Sequence, residues 1–333
     1  MNYIGSKLSL LPFISQTIRN VVGKDLSGMV FCDIFAGTGI VGTYYKPKVK
    51  QVIANDWEYY SYVLNRNYIG NHRELSKKDI YIDRLNSLPG TEGLIYNYYC
   101  SGSGSGRQYF SDENGKSIDA ARQSIENWFL SGEICEDLYF FLLSSLLESA
   151  DKHANTASVY GAFLKHIKAS ANKPMLIKPA NFSVNNNEHL VYRDDANKLI
   201  NRICGDILYL DPPYNSRQYG ANYHILNTIA EYKPFVPKGR TGLREYNKSM
   251  FCGKKTASSA LESIIREARF KYIILSYNNE GIMSIGEIEK IMQRYGYYQA
   301  FSQDYQRFRA DKEDNRHHSA SKTKEFLHVL EKK

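Results

Sequence analysis

An acid, two prolines and a tyrosine stand in the middle of the chain, directly after a short apolar run at residues 207–210. Prolines end strands because they lack an N–H and fix φ, so Asp211 is expected at the end of a strand, at the edge of a core. A carboxylate there, followed by Pro212, Pro213 and Tyr214, can act as a hydrogen-bond acceptor on a rigid support. A plain strand followed by a proline turn is the alternative interpretation.

The chemistry that suits this arrangement is the activation of a poorly nucleophilic amine, such as the exocyclic amine of adenine. Two acceptors, one per N–H, would localise its lone pair and stabilise the positive charge formed on attack. Asp211 supplies one acceptor, and the carbonyl of Pro212, held by Pro213, can supply the other; whether Asp211 also takes the proton stays open. Tyr214 offers a ring for stacking, worth ~1–3 kcal/mol for a single-stranded base. A base inside a duplex must be flipped out to reach such a pocket.

A glycine-rich turn follows the first predicted strand, at residues 30–35. Gly37, Gly39 and Gly42 have G-x-G-x-x-G spacing, and Asp56 lies about twenty residues further on, at the end of the next predicted strand. Glycines allow a tight turn and close approach of the backbone to a ligand, while the acid can hold two ribose hydroxyls. The pattern predicts binding of an adenosine-containing cofactor on a doubly wound sheet.

The acid that ends the first strand helps to choose the cofactor. A dinucleotide would place its pyrophosphate at a helix N-terminus, where Asp33 would be an awkward neighbour. S-adenosylmethionine has no phosphate, and Asp33 could accept a hydrogen bond from its ammonium group. The sequence therefore favours S-adenosylmethionine, and a turn-forming role for Asp33 is the alternative.

The elements that must position these residues alternate between strand and helix. The opening β-α-β-α pattern implies a parallel sheet with right-handed crossovers. Residues 71–187 carry little strand signal and are expected to be mostly helical, with helices near residues 136–149 and 158–168. Strands return near residues 189–192, 207–210, 272–276, 298–308 and 325–330.

The predicted fold is α/β, a doubly wound, mostly parallel Rossmann-like methyltransferase sheet with a C-terminal antiparallel hairpin and a mostly helical inserted domain. Residues 1–70 and 188–333 are expected to form the catalytic domain, and residues 71–187 the inserted one.

Composition favours an anionic partner and gives no sign of a metal, a disulfide framework or a membrane segment. The formal net charge is +8, which fits nucleic acid. The five cysteines show no Cys-x-x-Cys spacing, and the eight histidines form no metal-binding motif. No apolar run approaches the ~18–20 residues of a membrane helix. Met1 leads straight into a polar motif, so we expect a cytoplasmic protein.

Together the motifs resemble those of the Dam-type class of DNA adenine methyltransferases. The stretch NYIGSK at residues 2–7 is similar to the N-terminal motif of the class, in which a lysine contacts the carboxylate of the cofactor; here that lysine is Lys7. DIFAGTG resembles the cofactor loop, and DPPY the catalytic motif. The resemblance implies the following cofactor contacts: Asn2, Tyr3, Lys7, Asp33, Phe35, Gly37, Gly39, Asp56 and Asp195.

The stretch VYRDDA looks like the segment of the class whose acid recognises the adenine of the cofactor. Spacing from the DPPY stretch favours Asp195, and Asp194 is the alternative. A helix N-cap is a second interpretation of the same acid.

Longer stretches of the sequence resemble one half of FokI-type modification methylases: DPPYNSRQYGANYH, SVYGAFLK and YQRFRADK. The resemblance covers most of the chain and implies a restriction–modification enzyme acting on double-stranded DNA, with a cognate endonuclease as partner. It also implies that the insertion is the target recognition domain. Arginine and lysine at such places contact phosphates or guanine edges. The candidate DNA contacts are Arg107, Lys165, Lys168, Arg217, Arg307 and Arg309, each with a solvated charged surface as the alternative.

Three other functions are compatible with parts of the sequence. Methylation of a cytosine amine or of RNA is close in chemistry, although the carboxylate of Asp211 favours adenine. A nicotinamide-dependent oxidoreductase could use the same glycine turn but gives no reason for the DPPY stretch. A nucleic-acid-binding module without catalysis is disfavoured by the intact motifs.

Overall fold

The computed structural model of the chain describes residues 5–306 and 322–333. Four predicted site residues, Asn2, Tyr3, Arg307 and Arg309, lie outside the described residues. The strands are β1 (Val30–Asp33), β2 (Gln51–Asn55), β3 (Leu190–Tyr192), β4 (Cys204–Leu210), β5 (Arg269–Asn278), β6 (Gly296–Gln306) and β7 (Lys322–Lys332). The helices are α1 (Leu11–Val21), α2 (Ile40–Tyr45), α3 (Tyr59–Asn65), α4 (Lys78–Asn86), α5 (Leu94–Tyr99), α6 (Asp112–Leu130), α7 (Glu136–His153), α8 (Ala196–Leu199), α9 (Tyr219–Asn222), α10 (His224–Glu231), α11 (Ala257–Glu267) and α12 (Ile285–Gln293).

The strands form a seven-stranded sheet in the order β3-β2-β1-β4-β5-β7-β6. β1 to β5 run parallel, and β7 is antiparallel to both β5 and β6. The chain winds outward from β1 in one direction and from β4 in the other, so the strand order reverses between these two neighbours. Ligands of open α/β sheets bind at such a reversal, beside the carboxyl ends of the strands. The predicted doubly wound sheet with a C-terminal antiparallel hairpin is confirmed.

The described chain divides into two compact units. The sheet unit contains Gly5–Trp57, Asn187–Gln218 and the described residues from Asn247 onward; the helical unit contains Glu58–Asn186 and Tyr219–Tyr246. The helical unit therefore reaches beyond residues 71–187, and it takes in a segment that follows the DPPY stretch. Its assignment to target recognition stays a prediction.

Apolar side chains of the strands form the core of the sheet unit. Leu208 and Leu210 of β4 and Leu275 of β5 are fully buried, and α11 packs Leu261 and Ile264 into the same cluster. The apolar run that marks β4 in the sequence is therefore covered on the face opposite Asp211, which makes the end of β4 a rigid support. Burying a side chain such as leucine stabilises the fold by about 1.5–3 kcal/mol.

The helical unit has a separate core, in which α7 packs against α3, α4, α6 and α10. The predicted helix at residues 136–149 is confirmed as α7. The helix predicted at residues 158–168 is wrong, because that segment is irregular and Ser158 has a φ of 97°. Side-chain bonds replace the helical ladder there: the Asn155 amide donates to the Leu164 carbonyl at 3.1 Å and accepts from the Lys168 N–H at 3.0 Å.

Candidate active site

Two acids meet at the point where the strand order reverses. Asp33 ends β1, Asp211 follows β4, and Asp33 is level with Tyr209 of β4 in the parallel register. Side chains of paired residues lie on the same face of a sheet, and residues two apart on one strand also share a face. Asp33, Tyr209 and Asp211 therefore project from one face, at the carboxyl edge.

A buried ion pair joins the N-terminal segment to the end of β4. Lys7 Nζ lies 2.8 Å from Asp211 Oδ1, and the two side chains are 5% and 17% exposed. Burial alone would lower the pKa of Lys7, but the neighbouring Asp211 carboxylate raises it well above its usual range. Burial raises the pKa of Asp211, and Lys7 opposes that rise. Asp211 is thus a carboxylate with an increased affinity for a proton, held in place by a lysine.

Asp33 lies beside the glycine turn with one oxygen unused. It is 1% exposed, and its Oδ1 has no hydrogen-bond partner among the described residues. Burial, followed by the charge of Asp211, raises the pKa of Asp33 well above its usual range. A buried carboxylate oxygen without a donor is costly, so this site fits a ligand that brings an ammonium group, as S-adenosylmethionine does.

The glycine turn adopts the left-handed backbone that its sequence predicts. Gly37 and Gly39 have φ values of 53° and 78°, which side chains other than glycine rarely adopt. Asp56 Oδ2 accepts the Gly37 N–H at 2.8 Å, so this acid shapes the turn. Phe35 is half-buried and packs edge-on against Phe251, with ring centroids 5.1 Å apart.

Tyr214 is fixed by contacts on two sides. Its ring packs edge-on against Tyr277 with centroids 6.0 Å apart, and its carbonyl accepts the Ile282 N–H at 3.0 Å. Lys7 Nζ lies 5.4 Å from the centroid of the Tyr214 ring. The Tyr214 side chain remains partly exposed, as a stacking surface must be. Lys7 therefore touches both ends of the DPPY stretch.

The two acids after β3 have different partners. Asp195 caps α8 by accepting the N–H groups of Asn197 and Lys198, the N-cap that was the second interpretation of this acid. Asp194 forms an ion pair with Arg202. The backbone of Asp194 is held by Asn55, whose buried amide donates to the Asp194 carbonyl at 3.1 Å and accepts its N–H at 3.0 Å. Asn55 was missed by sequence reasoning, although it ends β2 beside Asp56.

Comparison with known proteins decides the family. A profile described as D12 class N6 adenine-specific DNA methyltransferase matches residues 3–291. The chain belongs to this family. It is an adenine-specific DNA methyltransferase of the Rossmann-like fold, as the DPPY stretch and the glycine turn predicted, and the predicted methyl donor, S-adenosylmethionine, is confirmed with it. The oxidoreductase alternative and methylation of cytosine or RNA are not supported.

Three relatives show how the similarity is distributed. The type II methyltransferase M.NlaIII of Neisseria lactamica is 60% identical, over 100% of this chain and 99% of that protein. M.CviAII of Paramecium bursaria Chlorella virus 1 is 36% identical over 93% of each chain. M.FokI of Planomicrobium okeanokoites is 36% identical over 100% of this chain but 53% of its own length. The chain therefore spans about half of M.FokI, in agreement with the predicted resemblance.

The predicted DNA-contacting residues that lie within the described chain have varied surroundings. Arg107 is half-buried, and its guanidinium donates to the carbonyls of Tyr98, Gly239 and Arg240. Lys168 Nζ donates to the Thr156 carbonyl. The remaining two predicted residues are exposed: Lys165 and Arg217. Contact of these residues with DNA stays a prediction.

Glu325 of β7 was missed by sequence reasoning. It is 4% exposed, and the charges of Lys7 and Asp211 both act on it. A signal for it exists in the sequence, because Glu325 is in phase with Leu327 and Val329, which face the core. An acid in phase with core residues at the start of a strand is a candidate site residue.

No metal or membrane site is apparent in the part of the chain that the structure describes. Within residues 5–306 and 322–333, histidine, cysteine, aspartate and glutamate form no group of three arranged to hold a metal ion. None of the described helices is both long and apolar enough to cross a bilayer. The predicted cytoplasmic location stays a prediction.

Proposed function

We propose that the chain is the modification enzyme of a type II restriction–modification pair and methylates adenine within one specific duplex sequence, with the DPPY stretch as its catalytic motif. The observation that carries the residue assignment is the meeting of Asp33, Asp211 and Lys7 at the carboxyl ends of β1 and β4. The similarity to M.NlaIII over nearly its whole length supports the biological role.

Asp211 and Pro212 act on the amine of the target adenine. The Asp211 carboxylate accepts one N–H and the Pro212 carbonyl the other, which localises the lone pair on N6. S-adenosylmethionine, when bound, supplies a methyl group already activated on a sulfonium, so in-line positioning provides much of the remaining acceleration. Transfer of that methyl group, with cleavage of its bond to sulfur, would leave the amine positively charged, and the amine must then lose a proton. The raised pKa of Asp211 makes it a suitable acceptor for that proton.

Asp33 and the glycine turn hold the cofactor. The unpartnered Oδ1 of Asp33 accepts from the ammonium group, and Gly37 and Gly39 allow the backbone to approach the nucleoside. Asp56, which accepts the Gly37 N–H, is the acid that meets the ribose hydroxyls. Lys7 positions Asp211 in addition to the contact with the cofactor that the resemblance implied.

The helical unit contacts the DNA around the target. The loop at residues 238–243 is held by a bridge between Lys238 and Leu243 and by the Arg107 guanidinium, which binds the carbonyls of Gly239 and Arg240. Arg240 itself is exposed at the tip of this loop. Arg107 therefore shapes the loop, and Arg240 is the side chain that meets the phosphates.

The test is methyl transfer with labelled S-adenosylmethionine and DNA of varied sequence, followed by nucleoside mass spectrometry and sequencing of the methylated positions. We expect N6-methyladenine confined to one short sequence. Methylcytosine, or methyladenine scattered without a common sequence, would contradict the proposal.

The residue roles are tested with a matched pair of substitutions on β4. Asp211→Asn removes the carboxylate at the end of the strand, and Asp206→Asn removes one at its start, where Asp206 accepts the Val30 N–H at 2.7 Å. We expect Asp211→Asn to lose methyl transfer by about 100-fold or more while binding of the cofactor persists. Asp206→Asn should retain activity. Equal activity of the two variants would refute the role of Asp211.

A further inference from the structure

Glu325 is a buried acid for which the reaction described above has no use. It is 4% exposed, and its Oε2 has no hydrogen-bond partner among the described residues. Burial raises its pKa, and Asp211 raises it further, whereas Lys7 lowers it. Buried carboxylates are rare unless they are paired or functional, since desolvation of the charge is costly.

The register of the sheet places Glu325 on the same face as Asp211. Glu325 is level with Asn278 of β5 in the antiparallel pairing, and Leu275 of β5 is level with Leu210 of β4. Paired residues share a face and neighbours along a strand alternate. Asn278 is three residues beyond Leu275, and Asp211 one residue beyond Leu210, so Asn278, Glu325 and Asp211 all project from the face opposite the two leucines.

With the Asp33 carboxylate matched by the ammonium group of the bound cofactor, Glu325 sets the net charge around Lys7. Lys7 and Asp211 form a pair of zero net charge, and a neutral pair is a poor partner for an amine that becomes positive during the reaction. Glu325 adds a second carboxylate to this pair, and β5 and β6 present the uncharged Asn278 and Gln303 at the same level. The cluster of Lys7, Asp211 and Glu325 therefore has a net charge of −1 when both acids are ionised.

We infer that Glu325 is a positioning residue for methyl transfer, whose charge acts on the Lys7 ammonium and on Asp211 and keeps this cluster negative where the adenine amine becomes positive. The inference rests on the proposed role of Asp211. Glu325 makes and breaks no covalent bond. N6 bonds to the methyl carbon as the carbon–sulfur bond breaks, and the N6 proton goes to Asp211. Charges fixed in a water-excluded site act more strongly than they would in water.

The experiment compares Glu325→Gln, which removes the charge at nearly constant size, with Glu325→Asp, which keeps it. Three quantities are measured in the full chain: the rate of methyl transfer with DNA and cofactor prebound, the affinity for S-adenosylmethionine by calorimetry, and the urea concentration that unfolds half of the protein. For Glu325→Gln we expect the rate of methyl transfer to fall by about tenfold or more. Its affinity for S-adenosylmethionine should stay within about twofold of the parent. Glu325→Asp should keep most of the rate.

Stability and pH dependence separate this role from a merely structural one. Glu325→Gln should unfold at the same or a higher urea concentration, because the buried charge is removed. The acid limb of its pH–rate profile should move to lower pH, because the titration of Glu325, whose pKa is raised by burial, no longer contributes to that limb. Glu325→Asp should keep the parental limb.

Two results would overturn the inference. One is a parental rate in Glu325→Gln, and the other is a rate loss accompanied by lower stability or by an equal loss in Glu325→Asp. Inactive Asp211→Asn together with fully active Glu325→Gln would remove the inference alone and leave the proposed function intact. Active Asp211→Asn would instead remove the proposed role of Asp211.

Discussion

Methionine has a side chain of about the same length as lysine but no charge. Replacement of Lys7 by methionine therefore removes a cation whose charge acts on three carboxylates, those of Asp33, Asp211 and Glu325. At the observed 2.8 Å separation from Asp211, an effective dielectric constant of about 20 gives an attraction of about 6 kcal/mol. Restored hydration of the ammonium in the unfolded chain offsets much of this. Breaking one side of a buried pair costs about 3–5 kcal/mol, and we expect Lys7→Met to lower the free energy of unfolding by about 3 kcal/mol.

The loss should depend on pH in a defined direction. Burial already raises the pKa of Asp211 above its unfolded value, and removal of Lys7 raises it further. A group with a raised folded pKa contributes stability that is present below its unfolded pKa and lost as the pH rises through its folded pKa. Lys7→Met should therefore be less destabilised at pH 5 than at pH 8.

The assay is urea unfolding, followed through tryptophan fluorescence in each unit separately. The chain has two tryptophans: Trp57 belongs to the sheet unit and Trp128 to the helical unit. In a Trp128→Phe background, the signal of Trp57 reports the unit that contains Lys7. The double variant Lys7→Met/Asp211→Asn, which lacks both charges, should be at least about 2 kcal/mol more stable than Lys7→Met alone. A loss below about 1 kcal/mol in Lys7→Met, or no recovery in the double variant, would refute this reasoning.

Other predictions concern the sheet, the base and the DNA. Burial lowers the pKa of His328 to about 4. Neutral His328 therefore contributes stability above its unfolded pKa of about 6.5, and this contribution is lost as the pH falls towards about 4. In urea unfolding, His328→Gln should reduce the loss of unfolding free energy over this pH range by up to about 3 kcal/mol. Tyr214→Ala should weaken capture of a 2-aminopurine target by about tenfold without changing cofactor affinity. Tyr214→Phe should capture the base as the parent does, and an equal loss in the two variants would contradict stacking. Arg240→Ala should reduce the slope of log Kd for DNA against log salt by about 1, as a lost phosphate contact does. The control is Lys290→Ala, at an exposed position on α12 of the sheet unit, which should leave the slope unchanged.

The acids at the strand ends could be predicted because they depend on local patterns. Asp33 and Asp211 each follow an apolar run and precede residues that end a strand, and parallel strands bring their carboxyl ends to one edge. The pairing of Lys7 with Asp211 could not be predicted, since residues about 200 positions apart meet only through the tertiary fold. The position of β7 between β5 and β6 also depends on the tertiary fold. Glu325 was therefore not predicted as a site residue.

The helical unit was predicted in kind but not in detail. The 19-residue helix α6 was not recognised, because the buried Asp119 and Arg122 interrupt its apolar stripe. Asp119 accepts the N–H groups of residues 93, 95 and 96, and Arg122 donates to two carbonyls of α10. Both side chains satisfy backbone groups at the ends of neighbouring helices, a use that hydrophobic periodicity does not reveal.

The insertion of β7 between β5 and β6 has a consequence for synthesis of the enzyme. β6 pairs with β7 in this sheet, and β5 also takes β7 as its outer neighbour. On the ribosome, β6 emerges before the strand that anchors it, and β5 keeps an open edge until residues Lys322–Lys332 have followed. Open strand edges invite pairing with other chains. A polypeptide interrupted before that point carries the glycine turn and the DPPY stretch but lacks Glu325 and the strand that covers the edge of β5. Incomplete translation products should therefore be aggregation-prone substrates for proteases rather than active enzymes.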